Sequence, residues 1–449
     1  MAMVVEALDA TRWRPTPGFM RGRVFSTGME GRVALCLVTL ALLVRTMAAF
    51  LLADVSGGAS TWEYGQQGLC ALQTDGDLCM RDRTGAPYAS AYMPPLTSYL
   101  WLGLFSLLGD GAGARTAYIA LNVLVGALGP GLLYLFARRA GLGRITAGAG
   151  ALVLCFYPTF VFVSTTYHAT NFTVALLLAF ALILVRALRS GEILPALAAG
   201  LVCGIAVLTR SEMLLVGAGA GLLLLWRYRV HWRTALLSAA ALAIGAALVV
   251  TPWAIRNYVV FERVILVANA NDYNLWKAFG PYAQGSGNQV GTAPESLAAI
   301  DSIRDGVPLG DAPGARYENR VQDAFAEDTS RFMGRLGATH LITLTAQKVA
   351  LLWLFDWTDP LTHGFLYWAP WLVVNALAVA GAFLMARGRS ERLNADGAAI
   401  VFLLLAVLTF SYAISGVHAR YRMHLEPVLF LFAGVALQAL LAAVRRARA

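Results

Sequence analysis

An all-α, polytopic membrane protein is the fold class this sequence predicts, on three observations. Of its 449 residues, 58% are hydrophobic and 14% charged, against roughly 25% charged in soluble domains. Uncharged apolar runs recur at lengths near the roughly 17–25 residues of a membrane-spanning helix. Lys and Arg cluster in the short loops between runs, as cytoplasmic loops do.

In chain order the apolar segments fall at about 33–53, 94–108, 117–136, 146–163, 170–187, 194–209, 212–226, 235–252, 341–355, 364–386, 399–416 and 425–443. The arm 1–32 carries Arg12, Arg14, Arg21, Arg23 and Arg32. No small-residue cleavage site follows the first run, which reads as an uncleaved helix. If every segment crossed, the basic stretches "ARRAGLGR" and "RYRVHWR" would fall outside. The conflict disappears when 94–108 and 341–355 lie along the outer surface, leaving ten crossings. The inside then gathers 19 of the 35 Lys and Arg and 6 of the 26 Asp and Glu.

Both surface candidates suit that role. The first opens with Pro94 and Pro95, and proline fits a first helical turn. The second is interrupted by Gln347 and Lys348, then meets Trp353, Asp356, Trp357 and Asp359, the mixture of an interfacial amphipathic helix. The expected organisation is an arm at 1–32, a transmembrane module at 33–252 with a first outer loop at 54–116, a large outer loop with an amphipathic helix at 253–363, and C-terminal helices at 364–449.

Polar residues that interrupt apolar sequence fall mostly on the outer face under this threading. They are Asp54, Glu63, Asp75 and Asp77 in the first loop, then His168 and Asn171, Arg210 and Glu212, Arg256 and Asn257, and finally His418, Arg420 and Arg422. Arg210 and Glu212 also suit a mutual pair at a short turn. Arginines at outer helix ends, where basic residues are normally scarce, call for an anion, and arginine grips phosphate bidentately. Carboxylates in the preceding loop then point to chemistry on a lipid phosphate. No phosphate-binding glycine loop, dinucleotide fingerprint, H-E-x-x-H or G-x-S-x-G occurs, and nothing calls for nucleic acid. Five cysteines show no C-x-x-C pair, although Cys70 and Cys79 share one loop and suit a disulfide if that loop is extracytoplasmic.

The order of motifs "WEY" (Glu63, Tyr64), "YMPPL" (Tyr92 to Leu96), "FYP" (Phe156 to Pro158), "LTRSE" (Leu208 to Glu212), "PWAIRNY" (Pro252 to Tyr258) and "RYRMHLEP" (Arg420 to Pro427) resembles the GT-C superfamily of membrane glycosyltransferases. It is similar to glycosyltransferase family 39, the group of protein O-mannosyltransferases and the lipid A aminoarabinose transferase. That resemblance implies sugar transfer from a polyprenyl-phosphate donor to a glycan, lipid or protein acceptor on the extracytoplasmic face. It also implies a catalytic carboxylate in the first outer loop, followed by a juxtamembrane helix. Two departures stand out. Relatives carry an Asp where this chain has Ser60, and a basic residue where it has Met93.

Glu63 is therefore the first candidate for general base and Asp54 the second. Tyr64, Tyr92, His168, Arg210, Arg256, Asn257, His418, Arg420 and Arg422 are the candidate substrate-binding residues. No metal ligands are assigned; a divalent cation is compatible with the chemistry, but no ligand spacing demands one. The Arg- and Ala-rich composition suits the inner membrane of a bacterium. Alternatives are an O-antigen-type polymerase or ligase, a lipid-linked sugar flippase or transporter, and a non-catalytic relative. The acidic loop followed by the double proline favours the transferase.

Overall fold

The computed structural model describes residues 28–308, 316–356 and 358–448. Trp357 and the basic residues of the arm before Gly28 lie outside the described residues. Each predicted apolar segment is helical, with 146–163 divided at Tyr157 where Pro158 opens a second helix.

Helix α1 (Met29–Leu52) leads into an outer layer made of α2 (Trp62–Gln73), a hairpin of β1 (Cys79–Arg81) and β2 (Pro87–Ala89), and α3 (Pro95–Leu108). The strands are antiparallel with Cys79 opposite Ala89, and a Cys70–Cys79 disulfide ties the hairpin to α2. Then follow α4 (Ala112–Arg139), α5 (Arg144–Phe156), α6 (Pro158–Val163), α7 (Thr170–Ser190), α8 (Ile193–Val207), α9 (Met213–Arg227) and α10 (Trp232–Phe261). Helix α10 continues past residue 252, where the apolar run ends, and carries Arg256 and Asn257 in its last turns.

The large loop is itself helical: α11 (Asn271–Phe279), α12 (Gly287–Thr292), α13 (Pro294–Asp305), α14 (Arg316–Met333) and α15 (Ala338–Trp353). The chain finishes with α16 (Phe365–Ala386), α17 (Ala395–Ile414), a 3-10 turn at Ala419–His424 and α18 (Glu426–Arg448). Among the described residues, α1, α4, α7, α10, α16, α17 and α18 are long and apolar enough to cross a membrane; α3, α5, α8 and α9 are shorter apolar helices.

Without a hydrophobic drive between helices in lipid, close packing and small residues hold such a bundle together. The α8–α10 contact illustrates this: Gly200 and Gly245 face each other's backbone, and a Cβ on either would strike the partner's carbonyls. Arg45 lies fully buried in α1. Its guanidinium donates to the Leu154 carbonyl (3.2 Å) and the Cys155 carbonyl (3.4 Å), satisfying acceptors left free at the end of α5.

The two ends of the bundle differ. At one end Glu30 accepts from Arg138 (3.1 Å) and Arg144 (2.9 Å), Asp396 pairs with Arg189 (3.1 Å), and the Asn394 amide donates to the Arg139 carbonyl. These contacts collect the basic loops expected inside. At the other end the Leu96 N–H donates to the Leu208 carbonyl (3.0 Å), while Arg115 at the start of α4 donates to the Ala59 carbonyl (2.9 Å). Helix α3 thus begins and finishes at the same end of the bundle. Helix α15 also finishes there, where Arg422 donates to the Leu354 carbonyl (3.2 Å).

Candidate active site

Helix α2 carries the first candidate carboxylate in its opening turn. The Ser60 hydroxyl accepts the Trp62 N–H at 3.1 Å, so Ser60 shapes the start of the helix. Trp62 has φ of +59°, a left-handed conformation that costs a bulky residue about 1–3 kcal/mol. The strain places its indole edge-on to His168 (5.5 Å between ring centres) and beneath the Arg420 guanidinium (5.1 Å). Behind α2, Gly68 permits the close approach of α3: a Cβ there would meet the Leu102 nitrogen at 2.8 Å and the Ser98 carbonyl at 3.0 Å.

A cavity of about 580 Å³ opens between α2, α9, α11 and the segment 411–421. Three cations line it. Arg210 is committed to Glu212 at 2.5 Å and lies over the Tyr421 ring at 4.5 Å; Glu212 also accepts the Tyr412 hydroxyl at 3.1 Å. Arg420 rests on the rings of Trp62 and Tyr421, and its buried Nε has no hydrogen-bond partner among the described residues. Lys277 sits 4.8 Å from the Tyr273 ring centre. Neither Arg420 nor Lys277 has an ion pair among the described residues, which leaves the cavity with uncompensated positive charge.

The neighbouring groups answer to those cations. Burial, then the Arg420 and Arg210 charges, push His168 well below the usual imidazole range, and His418 is depressed by burial, Arg420 and Lys277. Both rings are neutral at neutral pH. Burial raises the Tyr421 phenol, but Arg210, Arg420 and Lys277 outweigh it and draw the group below its ordinary value.

A second cavity, of about 390 Å³, is lined by Glu63 and Gln66 of α2 and walled by the β1–β2 hairpin, α11, α13 and α14. Glu63 and Tyr92 line both cavities. Glu318 braces the wall between them: its buried carboxylate accepts from the Ser90 hydroxyl (2.6 Å) and the Ala91 N–H (3.0 Å). Ser90 in turn accepts from Gln67 (2.9 Å), and Gln67 accepts from Ser98 (2.7 Å). This chain of bonds links α14 through the segment before α3 to the helix that bears Glu63. Burial pushes the Glu318 carboxyl up to about 7.

Of the sequence-predicted residues, Glu63, Tyr64, Tyr92, His168, Arg210, His418 and Arg420 line the first cavity. Four do not line it. Asp54 is exposed and closes a local turn, accepting from the Ser56 N–H (2.9 Å) and hydroxyl (2.6 Å). Arg256 pairs with Asp77, donates to the Leu78 carbonyl and lies over the Trp253 ring. Asn257 is buried and donates to the Ile265 carbonyl (3.0 Å). Arg422 is buried against Glu426 (3.0 Å) and the Tyr367 hydroxyl (3.0 Å). These last three hold the outer layer to the bundle. Sequence reasoning passed over Lys277, Trp62 and Glu318; the lone cation in "NLWKAF" was the readable signal for the first. Among the described residues no group of three His, Cys, Asp or Glu side chains converges as metal ligands.

The fold is GT-C-like. Residues 92–255 match the model of the dolichyl-phosphate-mannose-protein mannosyltransferase family. The solved structures similar to the chain include the archaeal oligosaccharyltransferase AglB from Archaeoglobus fulgidus in complex with an inhibitory peptide and a dolichol-phosphate: 15% identity, TM-score 0.52, covering 92% of this chain and 51% of that one. The apo form of the Archaeoglobus fulgidus enzyme superposes with TM-score 0.54 at 15% identity, over 94% and 52% of the two chains. The chain therefore spans about half the length of these structures. No curated protein matches it.

Proposed function

We propose that the chain transfers a sugar from a polyprenyl-phosphate carrier to an acceptor hydroxyl at the outer face of a bacterial inner membrane. One observation carries the reading: Glu63 stands on the boundary between a cationic cavity and a polar cleft. The proposed arrangement has ten crossings, with α3 and α15 lying along the outer surface; the common placement of both α3 ends supports it.

The donor phosphate occupies the first cavity, where Arg420 and Lys277 have no ion pair among the described residues and fixed charge is most effective away from water. Arg210 stays tied to Glu212 and adds its charge at longer range. The carboxylate of Glu63 takes the acceptor proton, and a positioned base supplies roughly 10²–10⁴-fold in rate. Tyr92, whose phenol burial pushes well above its ordinary value, remains a hydrogen-bond donor at the junction. The family resemblance and the dolichol-phosphate bound by the archaeal neighbour are in keeping with a lipid-phosphate donor.

The test is transfer from a labelled polyprenyl-phosphate sugar by purified protein. Glu63→Gln is expected to lose at least about 100-fold in kcat with donor affinity intact. Full activity in that variant overturns the assignment of the base. Asp54→Asn is expected to transfer normally, because Asp54 lies outside both cavities.

A further inference from the structure

The cleft beyond Glu63 is lined very differently from the cationic cavity. Its walls present the tyrosines Tyr88, Tyr92, Tyr273 and Tyr317, with few aliphatic groups. Tyr88 and Tyr317 meet edge to face at 5.0 Å, and Tyr92 and Tyr273 stand tilted at 6.2 Å, so aromatic pairs line the cleft from the hairpin, α11 and α14. Carboxylates outnumber guanidinium groups along the rim. Most are committed: Asp305 to Arg83 (3.0 Å), Asp82 to its own turn, Glu318 to Ser90 and Ala91. Asp301 and Arg304 have no ion pair among the described residues and project at the same opening.

Each class of acceptor makes a different demand on such a cleft. An acyl chain needs aliphatic walls, and an anionic headgroup needs a net positive rim; this cleft has neither. A sugar ring offers a flat C–H face and an edge of paired hydroxyls. Tyrosine rings bind the face while keeping a polar handle, and carboxylate and guanidinium groups accept from and donate to the hydroxyls. At about 390 Å³ the space falls within the roughly 300–1,000 Å³ of small-ligand sites.

We propose that this cleft is the acceptor site and receives the end of a neutral oligosaccharide. The inference rests on the transferase reading above and names the substrate class for its second cavity. A hydroxyl of the terminal sugar loses its proton to the Glu63 carboxylate as its oxygen bonds to the anomeric carbon of the donor. The anomeric C–O bond to phosphate breaks, and its electron pair leaves on the polyprenyl phosphate held by Arg420 and Lys277.

Full-length protein in nanodiscs, titrated with neutral tri- to pentasaccharides, an anionic saccharide of the same length and a Ser/Thr-rich peptide, tests the proposal without requiring turnover. Neutral saccharides are expected to bind in preference. Tyr88→Ala and the surface variant Asp301→Asn should each weaken them about tenfold or more, while Arg420→Ala leaves them unchanged. Preference for the peptide or the anionic saccharide overturns the proposal, as does neutral-saccharide binding that neither variant moves. A parallel titration with polyprenyl phosphate keeps the two readings separate. There Arg420→Ala should weaken binding and Asp301→Asn should not, and an unmoved polyprenyl-phosphate affinity overturns the donor site alone.

Discussion

Arg420 and Arg256 share a side chain and an end of the molecule, yet their neighbours give them different work. Arg256 is matched by Asp77, so it braces the hairpin; Arg420 rests on aromatic faces and has no ion pair among the described residues. Arg420→Ala should raise the donor KM about tenfold or more while leaving thermal unfolding nearly unchanged, and Arg256→Ala should lower the unfolding temperature with little effect on KM. A stripped-down positive charge is hard to read in sequence, because Asp77 lies far from Arg256 along the chain. Lys348 carries a second residue-scale consequence. It is fully buried, its Nζ lies 3.4 Å from the Phe279 ring centre with no hydrogen bond among the described residues, and burial lowers it from 10.5 to about 7. The folded chain then holds fewer protons than the unfolded one between those values, so this contribution to stability is complete above the ordinary lysine range and is lost as pH falls through 7. Lys348→Met should flatten that dependence and raise the unfolding temperature at pH 6, as read by thermal denaturation across pH.

At the scale of elements, the apolar helices were legible and the outer layer was not. A spanning helix announces itself by length and hydropathy alone, whereas α11 to α14 are short and polar, and their order depends on each other. "GSGNQVGT" gave no readable pattern, yet Gly287–Thr292 forms a helical turn beside the segment 417–418, joined by the Gly287 N–H to the Val417 carbonyl (2.7 Å). Two predictions belong to these joints. Gly68→Ala would press a Cβ into the backbone of α3, which cannot turn aside as a side chain can; a loss of about 1–3 kcal/mol is expected, with activity falling as Glu63 shifts. Glu318 titrates higher in the folded chain than its ordinary 4.5, at about 7, so its stabilising contribution is full below 4.5 and is lost as pH rises through 7. Limited proteolysis of residues 262–333 should therefore quicken above pH 7 in the wild type and stay slow in Glu318→Gln.

At the scale of the whole molecule, charge counting and geometry converge on the same two ends. The basic loops assigned inside are joined through Glu30, Asn394 and Asp396, and the lining of both cavities gathers at the other end. Charge could sort the loops because each lies beside a helix terminus. It could not sort the cavity-lining arginines from the others, since membership of a cavity depends on side-chain direction. In the proposed orientation, single cysteines introduced at Gly191 and Gly109 should label from opposite sides of intact cells; labelling of both from outside would refute the ten-crossing arrangement.

The Cys70–Cys79 bond joins the far end of the helix bearing Glu63 to the strand beside the tyrosine-lined cleft. With that end facing outward, its thiols meet an oxidising environment only once they have left the cytoplasm. In the proposed orientation, closure of the hairpin onto α2 is tied to delivery, because the bond forms only after the loop has crossed the membrane.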